Sequence, residues 1–184
     1  MAGDSKTDAT WPNSWPSDLD AAVNVEEETG WTHFNIGISG ATVASFLAVI
    51  DDKIAEIDDP ENTKKILINF GVNDQASIDF DNAGEVAVWV SDYESLIDQL
   101  ATVCPNADFY LSRPWARIGT EWNQIAAAIG TIVSDRPLIA HLGDDERVWL
   151  EGGDDGATMT TDGTHYSAAG QAEKTAQMMT VLGY

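Results

Sequence analysis

Hydrophobic positions along this chain recur in two alternating rhythms. From Ala41 to Ile57 the apolar residues Val43, Phe46, Leu47, Ile50 and Ile54 fall at helical spacing with acids opposite them. A second helical stripe runs from Glu85 to Val103 and is stopped by Pro105. A third, over 118–134, puts Trp122, Ile125, Ala126 and Ile129 on one side, and a last helix is predicted from about Ser167 to Val181. Residues 14–27, opening on Ser14-Trp15-Pro16-Ser17, predict a capped first helix. Between these lie short β-rich runs. Thr32–Ile38 alternates and closes at Ser39-Gly40, Lys65–Phe70 is a continuous apolar run, and Ala107–Ser112 and Arg147–Leu150 are the remaining two. Helices alternating with short strands predict an α/β fold with a mostly parallel sheet. No repeat, low-complexity tract or shift in composition interrupts the pattern, so residues 1–184 are expected to form one domain.

Composition narrows the function. An apolar fraction of 43% with seven Trp is that of a folded protein with a full core. No apolar run approaches the roughly 18 residues of a membrane span. The opening residues show neither the basic nor the apolar region of a secretory signal. Acidic residues outnumber basic ones 31 to 9, a net charge of −22, which repels nucleic acid and anionic membrane alike. Such a surface suits either ordinary solubility or high salt, where screening relieves self-repulsion. The acid clusters at Asp18/Asp20, Glu26–Glu28, Asp51/Asp52, Asp58/Asp59, Asp144-Asp145-Glu146 and Asp154/Asp155 read as solvated faces, and none has the spacing of a calcium loop. No metal and no cofactor is expected, since no His/Asp cluster has ligand spacing. Cys104 is the one cysteine; it excludes an intrachain disulfide and reads as a small apolar packing residue.

The chemistry lies in short strings at the ends of predicted elements. Gly3-Asp4-Ser5 supplies a hydroxyl among small residues, and Asp162-Gly163-Thr164-His165 supplies a carboxylate and an imidazole three residues apart. Those three groups are what turns a weak hydroxyl into a nucleophile. Gly71-Val72-Asn73-Asp74 offers a neutral amide donor after a buried strand, and Ser39-Gly40 a turn without a Cβ. Taken singly, Ser5 would be a terminal polar residue, Gly40 a turn glycine, Asn73 a helix cap and His165 a capping histidine. His33 and His141 have no serine motif attached, and Asp74, Asp154 and Asp155 compete with Asp162 for the acid role without its spacing to a histidine.

Four motifs in this order, spanning nearly the whole chain, resemble the SGNH hydrolases, also called GDSL esterases and lipases. The resemblance implies a three-layer α/β/α sandwich, flavodoxin-like, with a five-stranded parallel sheet and the site at the C-terminal edge of its strands, where open α/β sheets bind ligands. It implies Ser5 as nucleophile, His165 as the base, and Asp162 as the residue that holds the ring. It assigns the oxyanion hole to the N–H groups of Ser5 and Gly40 and the side-chain amide of Asn73. The family's first strand, central in its sheet, should lead into the serine, yet only Met1 and Ala2 precede Gly3. That leaves a truncated start, a strand supplied by another chain in an oligomer, or a sheet with fewer strands; truncation is the expectation, and would also take a signal peptide out of view. The reaction expected is hydrolysis of short-chain carboxylic esters, small or carbohydrate-borne, such as O-acetyl groups. A non-catalytic binding module, or a thioesterase or acyltransferase on the same triad, are the alternatives. Arg113 and Arg117 are candidates to meet substrate or to pair with the acidic surface, and Trp11, Trp15, Trp115 and Trp122 read as core or rim.

Overall fold

The apolar run after Lys65 forms the strand it predicts, and the rest of the sheet is laid down beside it. The structure, a computed structural model, describes residues 2–3, 35–116, 121–151 and 158–184. Four parallel strands pair in sequence order: β1 (Ala2–Gly3), β2 (Lys65–Asn69), β3 (Asp108–Arg113) and β4 (Ala140–Asp145). The helices are α1 (Val43–Leu47), α2 (Ile50–Ile54), α3 (Ala83–Val103), α4 (Trp122–Asp135) and α5 (Ala168–Leu182). Helices α3 and α4 connect successive parallel strands, and right-handed crossovers put both on one face. The other face carries α5. Lys65 reaches the Leu182 carbonyl at 3.3 Å and the Tyr184 hydroxyl at 3.0 Å, and Lys174 reaches Ser112 at 3.1 Å. The result is the expected three-layer α/β/α sandwich.

Strand β2 is buried on both faces because each face is covered. On the α3 side an edge-to-face series of rings joins Phe46, Phe70, Tyr93, Trp89 and Phe80, with centroids 5.1 to 6.2 Å apart. Such pairs add about 0.5–1.5 kcal/mol each beyond their buried area. Helix ends follow local chemistry. Asn82 accepts from the Gly84 N–H to start α3, and Ser167 accepts from the Gly170 N–H to start α5. Gly183, at φ +86°, ends α5 in the left-handed conformation.

Four expectations change. The helix predicted over 41–57 is two helices bent at Val49, whose φ of −126° leaves the helical region. Residues 35–38 of the predicted strand 32–38 form no strand: β1 offers only two residues to pair with, Ala2 to Ile68 and Gly3 to Asn69. The stretch before Ser5 is thus a short strand, and the sheet has four strands among the described residues, where the resemblance implied five. The last strand is Ala140–Asp145, while Arg147–Glu151 is a π-helical turn. The Gly and Asp residues of Ala140–Asp145 have poor strand propensity, but β3 supplies an edge to pair with and tertiary pairing decides. The predicted helix 14–27, and positions 32–34, lie outside the described residues.

Between Leu111 and Arg113 the register with β4 slips, so that Leu111 faces Leu142 and Arg113 faces Asp145. Gly143 sits in that bulge; a Cβ there would lie 2.8 Å from the backbone of Leu111 and Ser112. Gly143→Ala is therefore expected to push β4 off β3 and lower stability by about 1–3 kcal/mol, as read from urea denaturation midpoints.

Candidate active site

The C-terminal ends of the parallel strands converge on one edge, and the loops there carry the chemistry. After β2 the chain turns through Gly71, at φ +128°, and a Cβ at that position would lie 3.0 Å from Ile125 and Pro114. Asn73 follows, its Nδ2 donating to the Ala41 carbonyl at 3.2 Å. Ala41 itself closes a turn onto Ile38, with Gly40 exposed at its tip at φ +74°. A Cβ on Gly40 would meet open space, so the positive φ is what calls for glycine. The next residue, Asp74, is buried, and its Oδ1 accepts from the Val43 N–H at 3.0 Å and from Trp89 Nε1 at 2.9 Å. Burial raises its pKa against the lowering effect of those bonds. Asp74 thus fastens the first turn of α1, the loop after β2 and α3 to one another. The Asn73 amide is held against the turn that carries Gly40.

The second arm is the loop before α5. Thr160 and Tyr166 form an antiparallel bridge, the His165 carbonyl accepts from the Thr161 N–H at 2.8 Å, and Gly163 turns the chain at φ +89°. Inside that loop Asp162 Oδ2 lies 2.7 Å from His165 Nδ1, while its Oδ1 accepts from the N–H groups of Thr164 (2.9 Å) and His165 (2.8 Å). Partial burial works against the carboxylate, but the His165 N–H, the His165 ring and the Thr164 N–H together outweigh it and bring its pKa to about 2. A carboxylate accepting from Nδ1 fixes the ring proton there and gives Nε2 the lone pair of a base. The loop rests on α5 at Gly170, where a Cβ would sit 1.9 Å from the Met159 carbonyl oxygen.

Beneath both arms lies a buried polar cluster. Lys174 of α5 is fully buried and donates to Asp144 Oδ1 at 2.7 Å, Glu146 Oε1 at 2.9 Å and Ser112 Oγ at 3.1 Å. Burial alone would lower its pKa; Asp144 and Glu146 more than compensate and raise it.

The sequence pattern of the GDSL-like Lipase/Acylhydrolase family matches residues 1–173. The chain belongs to this family. As a GDSL-like protein it is a serine ester hydrolase of the SGNH kind. None of the curated protein sequences matches it. Solved structures share its fold at low identity. The acetylxylan esterase Axe2 from Geobacillus stearothermophilus is 18% identical with a TM-score of 0.77, over 100% of this chain and 92% of that one. The psychrotrophic esterase EstA from Pseudoalteromonas sp. is 19% identical with a TM-score of 0.74, over 98% and 93%.

Against the GDSL-like motifs, the structure brings Asp162 to His165 and Asn73 to the Gly40 turn. Ser5 lies outside the described residues, though Gly3, two positions before it, pairs with Asn69 at the same edge. Asp74 faces Val43 and Trp89, which removes it as a partner for His165. His141 sits near the other end of β4, 3.5 Å from Asp108 and beside the Tyr110 ring. His33, Arg117, Asp154, Asp155, Trp11 and Trp15 lie outside the described residues. Arg113 pairs with Asp145 at 3.3 Å, Trp115 and Trp122 are buried, and Cys104 is buried as expected, which raises its thiol pKa. One expectation is overturned: Asp144 and Glu146 are not a solvated face but are 3% and 0% exposed. Their partner, Lys174, is 28 to 30 residues away in sequence, so nothing local signals the pairing.

The depressed pKa of Asp162 predicts a pH signature. Its ionised form stabilises the loop fully above the unfolded value near pH 4, and that contribution is lost as pH falls through about 2. The stability gap between the native chain and Asp162→Asn should therefore close over that window. Because the Asp162 side chain is 52% exposed, the gap should not exceed about 1 kcal/mol. Denaturation midpoints across a pH series would measure it, and a gap constant with pH would exclude the charge as its cause.

Proposed function

We propose that this chain hydrolyses short-chain carboxylic esters, with O-acetyl groups on carbohydrates as the substrate class, through Ser5, His165 and Asp162. The observation that carries the reading is the Asp162–His165 pair, held within one loop at the edge where β1 leads toward Ser5. In attack, the Ser5 oxygen adds to the ester carbonyl and His165 Nε2 takes its proton; Asp162 stabilises the imidazolium that forms. His165 then returns the proton to the departing alcohol, leaving an acyl-serine. Water repeats the sequence and releases the acid. Charge on the carbonyl oxygen is met by the N–H groups of Ser5 and Gly40 and the Asn73 amide. That amide has two N–H bonds, and the one directed to Ala41 fixes its plane. Acetyl specificity is supported by the fold neighbour Axe2, an acetylxylan esterase, whose structure covers the whole chain.

Hydrolysis of p-nitrophenyl acetate tests the reading. Ser5→Ala and His165→Ala are expected to fall to the uncatalysed background. Asn73→Ala should lower kcat about 10²–10³-fold with KM little changed, as for loss of one oxyanion donor. Full turnover by Ser5→Ala would overturn the assignment. Release of acetate from acetylated xylo-oligosaccharides, compared with longer acyl esters, tests the substrate class.

A further inference from the structure

We infer that Glu146 is a positioning residue for His165, acting through the hydroxyl of Tyr166; the inference rests on the triad proposed above. Glu146 is fully buried, and among the described residues its carboxylate is gripped from four parts of the fold. Oε1 accepts from Asn69 Nδ2 at 2.9 Å, Lys174 Nζ at 2.9 Å and the Tyr166 hydroxyl at 2.5 Å, and Oε2 accepts from the Trp115 N–H at 3.1 Å.

Two of those partners adjoin the proposed triad in chain or in register. Tyr166 immediately follows His165. Asn69 is the register partner of Gly3, which precedes Ser5 by two residues. One oxygen atom is therefore the common reference for the strand that leads to the nucleophile and the loop that carries the base. The Asp162–His165 bonds shape the loop from within. They do not fix where the loop stands on the sheet; the Tyr166–Glu146 bond ties it there, beside the packing of Met159 on Gly170.

Backbone geometry turns that bond into an aiming device. Tyr166 pairs with Thr160 in an isolated antiparallel bridge that closes the loop on the residue after His165. Tyr166 is held inward, at 6% exposure, while the side chain of the adjoining His165 stays 22% exposed, so the anchored residue sets the place of the one before it. Packing contributes too, since the Tyr166 ring lies 5.8 Å from that of Trp149. A phenyl ring would keep that contact, whereas only the hydroxyl reaches Glu146.

The test compares the native chain with Tyr166→Phe, Glu146→Gln, the double variant and Ser5→Ala. Turnover of p-nitrophenyl acetate, thermal midpoints and the NMR signal of the His165 Nδ1 proton are read in each. Tyr166→Phe is expected to lose about 10- to 100-fold in kcat with KM within twofold, the scale of a small misplacement of a reacting group. Its thermal midpoint should stay above the assay temperature, and the His165 Nδ1 proton signal should persist, because the bond to Asp162 is internal to the loop. Glu146→Gln should lose kcat similarly, and the double variant no more than the slower single variant. Native kcat in a folded Tyr166→Phe would overturn the inference, as would a loss that appears in KM or together with the Nδ1 signal. Activity that survives Ser5→Ala would overturn the triad and this inference with it. Activity lost in Ser5→Ala but kept in Tyr166→Phe would overturn this inference alone.

Discussion

The ammonium group of Lys174, enclosed between the carboxylates of Asp144 and Glu146, is the interaction on which the rest of this structure turns. Each of these charges loses several kcal/mol of hydration on burial. They are tolerated because nearly every lone pair and proton around them is used. Ser112 and Trp149 donate to Asp144, while Asn69, Tyr166 and the Trp115 backbone donate to Glu146. Among the described residues one ammonium faces two carboxylates, and these neutral donors add to their hydrogen bonding. The cluster ties α5 to β3, to the turn after β4, to the end of β2 and to the loop of Asp162 and His165. An apolar core could hold the same layers together. It could not fix their rotation about one another so narrowly, because hydrophobic contact has no direction.

The two arms of the site are anchored by different means. On the Gly40–Asn73 side, Asp74 is a buried carboxylate that among the described residues has no cation beside it and is held by the Val43 N–H and the Trp89 indole. On the Asp162–His165 side, the anchor is an ion cluster. The sheet between them is short at β1, so the relative position of the arms depends on the polar contacts at the ends of β2 and β4 more than on a long ladder.

Much of this was legible in the sequence, for reasons of locality. The helices α3, α4 and α5 follow from apolar periodicity and their stop signals, and β2 from an unbroken apolar run. The Asp162–His165 pair was readable because both partners lie within four residues of chain. The docking of Asn73 on the Gly40-Ala41 turn was not, since it depends on a contact across 32 residues. Strand β4 was hidden because Gly143, Asp144 and Asp145 are poor strand formers, while the apolar Val148-Trp149-Leu150 imitated one. Asp144 and Glu146 looked like surface acids because a carboxylate's burial is decided by its partner, and Lys174 lies on a helix whose pattern marks nothing unusual at that position.

The close approach of Gly170 to Met159 has an evolutionary consequence. Every codon change that replaces this glycine adds at least one carbon where a carbonyl oxygen already lies within 1.9 Å of the new atom's place. No single substitution there leaves the loop of Asp162 and His165 where it is. Drift at this position is closed unless residues 158–160 move first, and a lineage that crossed that step would have had to re-seat its histidine on the way.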